Sequence, residues 1–67
     1  MMDSKPDIAA HIATTVADRA PQRYRLAVYA AAYKMAALHF EGTAYTYHLA
    51  LGEAYKAGED AMRDVTA

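Results

Sequence analysis

The stretch RYRLAVYAAAYKMAALHF, residues Arg23 to Phe40, decides the fold. It reads as a helix with apolar side chains on nearly every side. Advancing about 100° per residue places Leu26, Tyr29, Tyr33, Ala36, Ala37 and Phe40 on one face and Tyr24, Val28, Met35 and Leu38 on a second. The charged residues Arg23, Lys34 and Glu41 fall in the strip between them. A helix apolar on two sides must be buried on two sides, so the rest of the chain has to supply two covers.

Upstream, Pro21 removes a backbone donor and pushes Ala20 out of the helical region, which predicts a break in DRAPQR and a helix beginning at Pro21. Before the break, Ser4 offers a capping oxygen, Pro6 suits a first turn, and Asp7 supplies the acid, so a first helix is expected over about residues 5–19. Ile8, Ile12 and Val16 recur at i, i+4, i+8, with Ala9, Ala13 and Ala20 beside them, giving one narrow stripe. Thr14, Thr15 and Val16 are β-branched and weaken this helix slightly.

Downstream, the central helix is expected to reach Glu41. Gly42 suits the left-handed residue that ends it and Thr43 the cap of the next. The short EGT connection makes the second and third helices antiparallel neighbours. The third, over about residues 43–65, carries Tyr47, Leu51, Ala54, Tyr55, Gly58, Met62 and Val65 on one stripe. Gly52 and Gly58 each cost about 1 kcal/mol against alanine inside a helix, so each needs a reason. Gly58 lies on the stripe, where its missing side chain lets a neighbour approach; Gly52 lies off it.

The first and third helices offer one stripe each, enough to cover one face of the second helix. A second copy of the chain, or another protein docking on Tyr24, Val28, Met35 and Leu38, would cover the other. The fold class expected is all-α: a three-helix unit, or a helical hairpin plus N-terminal helix, over residues 1–67 as a single domain completed by homo-oligomerisation. A chain of 67 residues is near the lower limit for a single unaided core. Its hydrophobic fraction of 55% is less than it looks, because 17 of those residues are alanines that bury little area each.

Composition narrows the function. There is no cysteine, so disulfides and thiolate chemistry are excluded, and a cytoplasmic setting is expected. MMDSKPD is not followed by the apolar run of a targeting segment, and no run approaches the ~18 apolar residues needed to span a bilayer. The net charge of −1 offers no general attraction to nucleic acid or anionic lipid. Residues 1–40 sum to +2 and residues 41–67 to −3, a split that favours antiparallel or head-to-tail association.

Catalytic equipment is sparse. Ser4 is the only serine and sits in a cap, and the three glycines are too dispersed for a phosphate loop. His11, His39 and His48 lack the Glu-x-x-His or His-x-x-x-His spacing of helical metal sites. No enzyme, cofactor or metal is therefore expected.

The six tyrosines suit either core thickening or stacking on a planar ligand. The ligand alternative is a binder of a nucleotide-like anion, with Tyr29, Tyr33, Tyr47 and Tyr55 as walls and Arg23, Arg25 and His39 among the donors. The Thr43 end of the third helix is a further anion site on this alternative. LHFEGTAYTYHLAL loosely resembles the turn of a helix-turn-helix unit, but its would-be reading helix opens with Tyr45, Thr46 and His48 and without Arg, Lys, Asn or Gln. The leading expectation is a small protein-interaction module, a regulator or inhibitor such as an antitoxin or a phage anti-defence protein, acting by steric block.

Overall fold

Ser4 opens the first helix in the computed structural model, which describes residues 4–66. Its backbone is extended and its hydroxyl accepts from the Asp7 N–H at 3.4 Å, while Pro6 sits in the first turn, where amide donors have no partner to lose. The helix, α1, spans Lys5–Asp18. Its end tightens through bonds from Arg19 N–H to Val16 O and from Ala20 N–H to Ala17 O.

Pro21 is extended, with ψ 147°, and starts a 3-10 turn over Gln22–Tyr24 in which Tyr24 N–H reaches Pro21 O at 2.9 Å. Regular α geometry begins only at Arg25, four residues later than the sequence suggests, and α2 runs over Arg25–His39. At its other end Phe40 keeps a bond from its N–H to Ala36 O but swings to ψ 125°, so Glu41 lies outside the helix. The Phe40 side chain is buried in the core and meets the Tyr47 ring edge-on at 6.3 Å. Gly42 takes φ +98°, where an L side chain would be strained, and α3 follows over Ala44–Thr66.

The longest dimension of the molecule is 36 Å, close to the ~34 Å of a 23-residue helix such as α3. The shorter α1 and α2 must therefore fold back alongside it, reversing direction at each short connection. α2 packs on both neighbours, and α1 and α3 touch each other least. The result is an all-α unit of three α-helices and one 3-10 turn, with no strand among the described residues.

The core is built mainly from alanine. Ala9, Ala13 and Ala17 of α1, Ala32 and Ala36 of α2, and Ala50 and Ala54 of α3 are buried, with Ile12, Val16, Val28 and Phe40 as the larger pieces. Small side chains bury little area individually, but they let helix backbones approach closely and so recover dispersion contacts. Gly58 continues the Ala50–Ala54 line. A Cβ placed on it would lie 3.0 Å from one methyl of Val28 and 3.1 Å from one of Val16, so all three helices meet there. Gly52 faces open space.

The orientation of α2 corrects the sequence reading. Its buried line is Val28, Ala32, Ala36 and Phe40, spaced by four, and this line runs between the two faces expected from the pattern. Val28 comes from one and Ala36 and Phe40 from the other. Val28 is 1% exposed and belongs to the core, not to the docking surface expected of it, because Gly58 leaves room for its methyls. Leu26 and Ala37, expected to share a face with Phe40, point outward. On α3 the stripe is placed as expected except for Val65, which is exposed near the end of the longest helix.

Candidate interaction face

What remains outside the core on α2 is an apolar strip with a charged spine. Leu26 is 88% exposed and Leu38 65%, one near each end of the helix. Ala30 and Ala37 are also exposed, and Lys34 is the one charged residue among these positions within the helix. Arg23 lies exposed before the N-terminal end and Glu41 beyond the C-terminal end. Isolated surface leucines are ordinary; two large ones near the ends of one helix, with exposed alanines and Lys34 between them, form an apolar strip interrupted by one charge.

The expected surface of Tyr24, Val28, Met35 and Leu38 is therefore only partly realised. Leu38 is on the strip, Tyr24 and Met35 are half-buried at its margin, and Val28 is inside. Leu26, Ala30 and Ala37 are surface residues that the apolar pattern alone does not mark. The signal that locates them is the charged spine: Arg23, Lys34 and Glu41 must be solvated, so the residues flanking them are the ones left exposed.

The residues proposed for a ligand do not converge on one pocket. Tyr29 and Tyr33 stack on each other at 6.1 Å along α2, whereas Tyr47 meets Phe40 and, at 5.8 Å, His48. Tyr55 lies under the Arg19 guanidinium, 5.9 Å from its ring centre, and Arg23 covers Tyr24 at 4.8 Å. Tyr24, Tyr29, Tyr33, Tyr47 and Tyr55 are half-buried against the alanine core, thickening it. His39 is half-buried on α2.

Shallow grooves among the described residues include two that touch these candidates. One, of about 190 Å³, is floored by Val16, Val28 and Gly58 and rimmed by Arg19, Tyr55 and Met62. The other, of about 200 Å³, brings Arg25 and Tyr29 together with Thr14, Asp18 and Leu26. Both are below the ~300 Å³ at which pockets for drug-sized ligands begin. Among the described residues, no three His, Asp or Glu side chains come together in an arrangement that would hold a metal ion. No helix among them is long and apolar enough to cross a membrane.

The Thr43 end of α3 is occupied by its own side chains. Thr43 Oγ1 accepts from Thr46 N–H at 3.1 Å, and Thr46 Oγ1 accepts from the N–H groups of Thr43 and Glu41, each at 3.1 Å. The two hydroxyls are 2.9 Å apart. This is a reciprocal cap in which threonine does the work usually given to Glu or Gln three residues into the helix. Of the amides at this end, those of Glu41, Thr43 and Thr46 are already used.

No protein-family model matches the chain, and comparison with curated proteins and with solved structures finds no similar protein.

Proposed function

We propose that this chain is a non-enzymatic protein-interaction module that uses the outer strip of α2 as its binding face, acting as a regulator or inhibitor by occupying a surface of its partner. The observation that carries this reading is the exposure of Leu26 and Leu38 on a helix whose opposite side is already closed against α1 and α3. Burying a leucine side chain stabilises a complex by about 1.5–3 kcal/mol, so this strip is a store of unused binding energy. Helix-in-groove and helix-on-helix recognition use such a row of anchors on one face. Occupying a surface needs no catalytic group.

The test is a photo-crosslinking amino acid at Ala30, in cells that make the protein. A discrete protein adduct is expected, lost when Leu26→Glu is added, while the same crosslinker at Asp60 on the charged side of α3 gives none. Absence of any adduct at position 30 sinks the reading.

A further inference from the structure

The charges bordering the strip also suit a second copy of this chain, which would compete with that partner for the same face, and this step rests on the reading of the strip as a binding face. The first turn of α2 contains no acidic residue, and the exposed Arg23 and Arg25 stand at this end. Positive charge there opposes the positive pole of the helix and is left without compensation on its own helix. Glu41 lies exposed beyond the opposite end.

We infer that the outer strip of α2 pairs with the same strip of a second copy, antiparallel, about a two-fold axis level with Ala32. In that register residue numbers across the interface sum to 64. Leu26 comes level with Leu38 of the second copy, Ala30 with Lys34, and Arg23 with Glu41, and the two-fold repeats each pairing. Each end of the seam is then bracketed by one leucine from each copy. The exposed alanines let the two backbones approach, and each lysine stem lies over an alanine of the other copy with its ammonium group reaching sideways to water. The pairing places a carboxylate beside the uncompensated positive end of each α2.

A two-fold interface must be self-complementary, and a strip with like ends would not be. One helix per copy offers less area than the ~800 Å² per partner of stable complexes, so the dimer belongs to the weak, concentration-dependent class.

The experiment is sedimentation equilibrium on the full chain up to about 100 µM. The wild type is expected to reach a dimer, and Leu26→Glu, at an exposed position that leaves the fold intact by circular dichroism, to remain monomeric. Glu41→Arg alone should weaken association by roughly fivefold, since two symmetric pairs turn repulsive. Combining it with Arg23→Glu on the same chain should restore wild-type affinity. A parallel dimer or a dimer through another surface gives no such rescue, and either result overturns the inference, as does a wild type monomeric at 100 µM. A monomeric wild type that still gives a discrete adduct to a different protein at position 30 removes the second copy alone and leaves the binding face standing.

Discussion

The two sides of α2 are nearly equal in apolar character and opposite in fate. The inner side, Val28, Ala32, Ala36 and Phe40, is closed by α1 and α3; the outer side, Leu26, Ala30, Ala37 and Leu38, is open. Hydrophobicity alone would choose Leu26 over Ala32 for the core. The choice goes the other way because Ala32 and Ala36 share one core with Ala50 and Ala54 of α3, while Val28 packs at Gly58, and close backbone approach outweighs the area of any one side chain. Burial in a small alanine-rich bundle follows shape complementarity more than side-chain size, and the large side chains left outside are available for association.

The greatest effect should come from placing a charge on the inner side. Val28→Asp puts a carboxylate at a fully buried position in a chain whose total stability is expected to be on the order of 3–10 kcal/mol, and a buried charge without a partner costs several of these. The variant should be unfolded at 25 °C by circular dichroism.

The contact beneath Val28 gives a subtler break. Gly58→Ala brings a methyl against Val16 and Val28 and should destabilise by about 1–2 kcal/mol in urea unfolding, despite alanine's helix propensity. In a Val28→Ala background the closer of the two contacts is removed while the one to Val16 stays, and the cost of the same change should shrink. Such a loss of additivity would tie the inner side of α2 to Gly58 through one contact.

Effects away from both sides should be smaller. Thr43→Ala removes the acceptor for Thr46 N–H and should cost about 1 kcal/mol, a fall in Tm of roughly 4–8 °C. Gly52→Ala meets open space in a helix interior and should raise stability by up to about 1 kcal/mol. The smallest change should be Leu26→Glu, within about 0.5 kcal/mol of wild type under dilute conditions, because the side chain has little to lose in the monomer.

The comparison also separates what the sequence makes legible from what it does not. Caps are local chemistry, so Ser4 and Thr43 announce their roles and the structure places them accordingly, whereas Pro21 marks the break but not the start of α2, and Gly42 takes its positive φ beyond Phe40, the residue that ends α2. The stripes of α1 and α3 are legible because polar residues occupy their other sides. The rotation of α2 was not, since a helix apolar all round has no polar side to orient it. Only Arg23, Lys34 and Glu41 mark its solvent side, and they stand between two apolar flanks. The pattern sets Leu38 apart as a surface residue but not Leu26, Ala30 or Ala37, for this same reason. The tyrosines fit the core-thickening expectation better than the shared pocket: they sit in separate groups around a core of alanines too small to fill it alone.

The most direct test of the difference between the two sides is urea unfolding of Val28→Ala and Leu26→Ala, measured dilute enough to keep the chain monomeric. Two residues apart on one helix, the variants should diverge: Val28→Ala should lose about 2–3 kcal/mol to lost burial and a cavity, and Leu26→Ala no more than about 0.5 kcal/mol. Equal losses, or a larger one at Leu26, would mean that α2 presents its other side to the core and would contradict both the packing described and the binding face drawn from it.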